Sequence, residues 1–248
     1  MTIEAFVLHL ARASQRRGQV ERIIAACPLK THILDAVDGR LLDDASRAAV
    51  YRPGLFKPRY PFELTPGEIG CFLSHRRAWQ EIVSRKLDAG FIFEDDVEVD
   101  TPVFADALKL AEANVGTQPY IQFQVRPLDG AVKTIVAGPS VALMQPIVPP
   151  LRTSAQLVGH HAAKVLLAAT EVFDRPVDGL LQMFWESGIA VTCAVPSGVS
   201  DRTRQTGGST ISRRKNLMQR IDWEYNRWAY RNAIRCLAMK YLKAKTNT

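Results

Sequence analysis

Phe91-Ile92-Phe93-Glu94-Asp95-Asp96 sets three large apolar side chains directly against three carboxylates. An apolar run this short, preceded by the chain breaker Gly90 and closed by charge, predicts a buried strand that ends at the acidic residues. Side chains two apart in extended backbone point the same way, so Glu94 and Asp96 are expected to share a face and Asp95 to take the other. Two carboxylates on one face make a hard oxygen site. Mn²⁺ or Mg²⁺ suits it, because both favour carboxylate and water and bridge to phosphate oxygens. The carboxyl end of a strand in an open α/β sheet is also where ligands bind. On these residues alone, a solvated acidic turn is the competing reading.

Working outward, Thr65-Pro66-Gly67-Glu68 has the form of a helix start, with Thr65 as cap, Pro66 in the first turn and Glu68 closing a capping box. The helix is expected to run to about Lys86. Before it, residues 52–67 are rich in proline and glycine and read as a loop. At the N-terminus, Ile3 to Leu10 reads as a buried strand, Gln15 to Ala26 as a helix capped by Ser14 and stopped by Pro28, and His32 to Val37 as a second strand closed by the turn pair Asp38-Gly39. Strand, helix and strand in that order open an α/β sheet with helical crossovers. Residues 117–150 read as short strands and loops, and Ser154 to Thr170 as a strand followed by a helix. Asp174 to Gly179 reads as a loop before a helix from Leu180 to Trp185, and Gly188 to Val195 as the last strand.

The run Leu64-Thr65-Pro66-Gly67-Glu68-Ile69-Gly70-Cys71-Phe72-Leu73-Ser74-His75, then Ala78-Trp79 and Phe93-Glu94-Asp95-Asp96-Val97, closely resembles glycosyltransferase family 25. Ala36-Val37-Asp38-Gly39-Arg40 and Pro176-Val177-Asp178 extend the resemblance to roughly residues 3–200. It implies a GT-A-like, Rossmann-type mixed sheet flanked by helices, a nucleotide-sugar donor, inversion at the sugar carbon, and a divalent metal held by a DxD-like motif at Glu94-Asp95-Asp96. The family's galactosyltransferases weight the donor toward a UDP-sugar carrying galactose, and its lipopolysaccharide and lipooligosaccharide enzymes weight the acceptor toward a lipid-linked or core oligosaccharide. The family's N-terminal pattern falls on His9-Leu10, Ala11-Arg12 and Arg16, departing at His9, where Asn is usual, and at Ala11, where Asp is usual.

Chemistry assigns expected roles. Glu94 and Asp96 would hold the metal, and Arg12 and Arg16 would approach the nucleotide, since guanidinium groups grip phosphate. Exposure on the first helix is the alternative for Arg16 and Arg17. His9, Asp38, Gly39, His75 and Asp95 complete the expected donor contacts, with Glu68 less certain; a buried structural role is the alternative for His75. Direct displacement needs a base for the acceptor hydroxyl. Asp178 is the first candidate and Glu186 the second.

The net charge of +7 is concentrated at one end. Residues 213–245 hold ten basic residues against Asp222 and Glu224, so the rest of the chain is nearly neutral. This predicts a transferase domain over 1–210 and a basic amphipathic helical tail over 211–248. In the tail, Arg220, Arg227, Arg231 and Arg235 recur at helical spacing beside a stripe of Tyr230, Ile234, Leu237 and Tyr241. Such a helix either lies on an anionic membrane surface or packs on the domain. Nucleic acid is not expected as a partner, because no recognition motif accompanies the charge.

The four cysteines have neither zinc-ligand nor disulfide-framework spacing and read as reduced thiols, which together with the lack of a signal-like N-terminus predicts a cytoplasmic protein, peripheral at most on the inner membrane's cytoplasmic face. Two other classes stay open: a metal-dependent nucleotidyltransferase, which would normally bring a glycine-rich phosphate loop, and a non-catalytic membrane-surface or sugar-binding protein with a transferase-like fold.

Overall fold

The computed structural model describes residues 1–202 and 217–246. The expected boundary near residue 210 and the cluster Arg213-Arg214-Lys215 lie outside the described residues. In chain order the elements are β1 (Ile3–His9), a 3₁₀ turn (Ser14–Arg16) leading into α1 (Arg17–Ala26), β2 (Thr31–Asp35), α2 (Asp44–Val50), α3 (Pro66–Ser84), β3 (Ala89–Glu94) and β4 (Val97–Val99). There follow α4 (Thr101–Asn114), β5 (Tyr120–Phe123), β6 (Val132–Ala137), β7 (Ala142–Pro146), β8 (Ala155–Gly159), α5 (His160–Ala169), α6 (Val177–Leu181), α7 (Phe184–Ser187), β9 (Thr192–Val195), β10 (Val199–Asp201) and α8 (Leu217–Thr246).

Eight strands form one mixed sheet in the order β2-β1-β3-β8-β5-β9-β7-β6, and β10 pairs with β4 apart from it. The period of two along each strand divides the core. Phe91 and Phe93 of β3 join Phe104 of α4 and Val20 of α1 on one face. Ile92 joins Phe6, and Phe72 and Trp79 of α3, on the other. Each fully buried aromatic contributes on the order of 2 kcal/mol through area removed from water. The expected mixed α/β sheet flanked by helices is the observed architecture.

Strand β1 runs parallel to β2 and β3, while β8 runs antiparallel to β3. Leu8 stands beside Glu94, and Phe93 beside Ala155. One sheet end therefore collects the ends of β1, β2 and β3 and the start of β8.

The capping box forms as expected: the Glu68 amide donates to Thr65 Oγ1 at 3.2 Å and the Thr65 amide to Glu68 Oε2 at 2.7 Å. Gly90 does not break the chain. It lies inside β3, where a Cβ would come within 2.4 Å of Ile82 on α3, so its role is close helix-to-sheet packing. Ser14 caps nothing; the 3₁₀ turn takes up the first residues and Arg16 precedes α1. Asp178 belongs to the first turn of α6 rather than a loop. Helix α4 is an element that the pattern reading did not separate from its surroundings, and β10 follows the strand expected to be last.

The C-terminal helix docks on the body of the molecule. Ile234 and Ala238 are buried, Tyr230 meets Tyr60 edge-on at 5.3 Å, and Tyr241 meets Phe184 at 5.5 Å. The apolar stripe, read from the sequence as facing either a membrane or the domain, is thus largely used against protein. Among the described residues, no helix is long and apolar enough to cross a membrane.

Candidate functional site

The common sheet end opens into a cleft of about 1610 Å³. Its floor begins at Glu94, the last residue of β3, after which Asp95 and Asp96 form a turn into β4. The extended alternation expected for the three carboxylates therefore stops at Glu94. All three line the cleft, with very different commitments.

Both oxygens of Asp95 are taken, Oδ1 by Arg16 Nη1 at 2.6 Å and Oδ2 by His9 Nδ1 at 2.9 Å. All three residues are buried, so this network ties the end of β1 and the start of α1 to the acidic turn. His9 does not line the cleft, and Arg16 is not on an exposed helix face. His9, expected to contact the donor, thus braces the turn from behind, while Arg16 braces it from a position that also lines the cleft; an imidazole and a guanidinium satisfy a carboxylate that would otherwise be buried unpaired. Arg16 Nη1 also lies 3.6 Å from Asp96 Oδ2.

Glu94 Oε1 meets His75 Nε2 at 3.3 Å and accepts from the Thr153 hydroxyl at 3.1 Å, while no described residue is bonded to its second oxygen. Burial works to raise the Glu94 pKa, but the His75 contact and charge, the Thr153 hydroxyl and the Arg152 charge together hold it below the usual value. His75 is fully buried behind Glu94, its Nδ1 3.3 Å from the Gln156 side-chain amide. It is not exposed to the cleft, so the expected direct donor contact is corrected to support of Glu94.

The same motif clasps the turn after β2. A Cβ on Gly39 would fall 1.8 Å from the Pro66 carbonyl oxygen, and one on Gly70 would fall 2.5 Å from that of Val37. The two glycines let α3 and the 37–39 turn touch backbone to backbone. Ser74 completes the clasp, its hydroxyl accepting from the Val37 amide at 2.8 Å and donating to the Gly70 carbonyl at 2.7 Å. Asp38 accepts from Arg12 Nε at 2.5 Å and from the Arg40 amide at 3.1 Å. Against the raising effect of burial, those partners keep its carboxyl below the usual aspartate range. Arg12, Asp38 and Gly39 all line the cleft.

Across from the acidic turn stands Asp178, accepting from the Arg152 amide at 3.0 Å and the Gly179 amide at 2.7 Å. Burial raises its pKa, the two amides oppose that, and the charges of Glu94 and Glu68 add to the rise. Arg152 adopts φ 86°, a left-handed conformation that is costly for a non-glycine residue, with its amide turned to Asp178 and its guanidinium paired with Asp201. Glu186 is outside the cleft. Phe184 supplies the buried face of the one-turn helix α7, and Glu186, two residues on, faces solvent. The structure thus removes it as a base candidate.

The donor set fits a hard cation. Glu94 has an uncommitted oxygen among the described residues, Asp96 is the other cleft carboxylate beside it, and open space remains for water or phosphate oxygens. Cys71, His75 and Glu94 also bring potential ligand atoms within 4.8 Å of one another. That set is a poor soft-metal site, because burial pushes the Cys71 thiol well up and disfavours the thiolate such a metal needs. Thr153, Arg152, Tyr60 and the α8 residues Trp223 and Arg227 line the cleft too, and no pattern in the sequence assigns any of them to the site.

Residues 2–128 match the family model described as glycosyltransferase family 25 (LPS biosynthesis protein). The chain is 40% identical over 97 residues to the mouse protein named inactive glycosyltransferase 25 family member 3, covering 38% of this chain and 16% of that one. It is 34% identical over 112 residues to human procollagen galactosyltransferase 2, covering 44% and 18%. The chain therefore spans less than a fifth of the length of these curated relatives. Among solved structures, a mannose-1-phosphate geranyltransferase from Thermus thermophilus aligns with TM-score 0.42 and 10% identity over 78% of this chain and 73% of that one. A glycosyltransferase involved in glycosylation of the major capsid of PBCV-1 aligns with TM-score 0.36 and 13% identity over 68% and 65%. Both likenesses are too distant to carry an argument about chemistry.

Proposed function

Because this chain belongs to glycosyltransferase family 25, we propose that it moves a hexose from a nucleotide-sugar donor to a saccharide acceptor, with inversion at the transferred carbon. A UDP-sugar, galactose in first place, is the proposed donor, and a core or lipid-linked oligosaccharide of lipopolysaccharide or lipooligosaccharide the proposed acceptor, in keeping with a cytoplasmic enzyme. The observation that carries this reading is the gathering of Glu94, Asp96 and Asp178 on one cleft at the strand ends.

Each group has a defined task. Glu94 and Asp96 would hold Mn²⁺ or Mg²⁺, which when bound offsets the negative charge that develops on a departing diphosphate. His75 and Thr153 keep the Glu94 carboxylate aimed at the cleft. The Gly39–Gly70 clasp fixes the wall carrying Asp38 and Arg12, which suits the nucleotide end of the donor. Asp178 takes the proton of the attacking hydroxyl; its pKa, raised by burial, makes its carboxylate a stronger base than that of an ordinary aspartate.

The test is a nucleotide-sugar panel with Mn²⁺, scored by release of the nucleoside diphosphate, comparing the parent chain with Asp96→Ala. At least one donor should turn over, and the variant should lose about a hundredfold or more of that rate. No metal-dependent binding of any nucleotide sugar, or turnover unchanged in Asp96→Ala, would overturn the proposal. A second reading, sugar binding without transfer, draws on the word "inactive" in the name of the mouse relative. It predicts that the parent chain binds sugars or nucleotide sugars but never releases diphosphate, whatever acceptor is supplied.

A further inference from the structure

We infer that the inner face of α8 is the acceptor-binding wall of the cleft, and that it takes a saccharide carrying a phosphate or carboxylate group. The inference rests on the transferase reading above and adds an acceptor class to it.

Four observations support it. First, Trp223, Arg227, Tyr230 and Arg231 of α8 line the same cleft as Glu94, Asp96 and Asp178. Second, α8 is fastened to the Asp178 side: the Tyr230 hydroxyl accepts from Arg175 Nη1 at 2.8 Å, and Arg175 precedes Pro176-Val177-Asp178 in the chain. The Asp178 charge reaches both Tyr60 and Tyr230, adding to the burial that raises each phenol's pKa. The side bearing the base is the side from which the acceptor hydroxyl must approach, and Arg12, Asp38 and Gly39 line the cleft by the ends of β1 and β2.

Third, the wall has the chemistry of a sugar platform. Phe62 and Trp223 stack at 5.3 Å with 29° between their rings, both half-buried at the cleft. Aromatic faces at a wet rim present apolar area to the C–H faces of a pyranose while its hydroxyls stay hydrated. Fourth, two cations stand next to that platform. Arg227 lies over the Trp223 ring at 4.8 Å, and Arg231 follows one turn later. Like charges at this spacing weaken a helix. Glu224, 3.9 Å from Arg227, is a weak offset, and Arg231 has no ion pair among the described residues. Burial and the neighbouring Arg227 both lower the Arg231 pKa. Two like charges held together at a cleft rim are the arrangement a bound anion relieves, through charge-assisted hydrogen bonds.

The experiment measures binding of glucose 6-phosphate and of glucose to the full chain by ligand-observed NMR, and of UDP with Mn²⁺ in parallel. The expected result is a preference of about tenfold or more for the phosphosugar. Inorganic phosphate should compete with it, and the preference should disappear in the Arg227→Gln/Arg231→Gln variant while UDP affinity is kept. It should also collapse at high ionic strength in the parent chain, a readout independent of any variant's folding. Equal binding of the two sugars, or a preference that survives both the double variant and high salt, overturns the inference. So does a double variant that loses UDP and keeps the phosphosugar, since the cations would then serve the donor. Failure of UDP and of every nucleotide sugar to bind the parent chain strikes the transferase reading instead, and leaves a phosphosugar preference standing on its own.

Discussion

At the residue scale, the acidic triplet resolves into three different jobs. Asp95 is structural, saturated by Arg16 and His9; Glu94 is half engaged by His75 and Thr153; Asp96 is the remaining cleft carboxylate. Replacing Arg16 with Met leaves Asp95 buried with one partner. The expected cost is about 3–5 kcal/mol, read as a fall in the denaturant midpoint. Asp178 makes a pH prediction whose sign is fixed by its environment. Its folded pKa is raised by burial, so the ionised base is lost as pH falls through a value above the ordinary aspartate range. The acidic limb of kcat/KM should therefore fall off at a higher pH than an unperturbed carboxylate gives, and Asp178→Asn should abolish that limb along with most of the rate. A limb unchanged in Asp178→Asn would assign the base elsewhere.

At the element scale, α3 is both a packing helix and the hinge-pin of the site. Its start is written in the chain as Thr65-x-x-Glu68, and removing the cap in Thr65→Ala should cost about 1 kcal/mol, measurable as a small drop in melting temperature. The clasp is less forgiving. Gly70→Ala places a methyl 2.5 Å from a carbonyl oxygen and 2.7 Å from a backbone nitrogen, neither of which can rotate away. Its expected cost is about 1–3 kcal/mol with a raised KM for the donor, because the 37–39 turn has to shift. A variant with unchanged stability and KM would show that the clasp is looser than its geometry implies. Strand β3 was legible from its three apolar residues and charged end, whereas Gly90 read as a breaker because a missing Cβ looks the same in sequence whether it frees a turn or admits a neighbouring helix. Helix α4 carries local signals of its own, Pro102 in its first turn and Gly116 directly after its C-cap Val115, but Asp100 makes no side-chain cap bond and no capping box marks its start.

At the scale of the whole molecule, the C-terminal helix changes meaning most. Its basic residues and aromatic stripe fit either a membrane or a protein surface, and in the fold Ile234, Ala238 and Tyr230 are spent on the body of the molecule. Ile234→Ala should cost about 2–5 kcal/mol, seen as a drop of several degrees in melting temperature. A helix that merely trailed from the domain would show none. The chain by itself determined the α/β class, the end of β3 as the centre of the cleft, the capped start of α3 and the family. These depend on local spacing, such as period two, the capping box and a short run of adjacent residues, and local spacing survives without coordinates. Only the tertiary structure decided that His75 stands behind Glu94, that Asp95 is consumed by Arg16 and His9, that Glu186 faces solvent, and that α8 lines the cleft. Those facts depend on contacts between residues tens to more than a hundred positions apart, set by sheet register and helix docking, and no spacing within one segment encodes which distant side chain arrives to meet it.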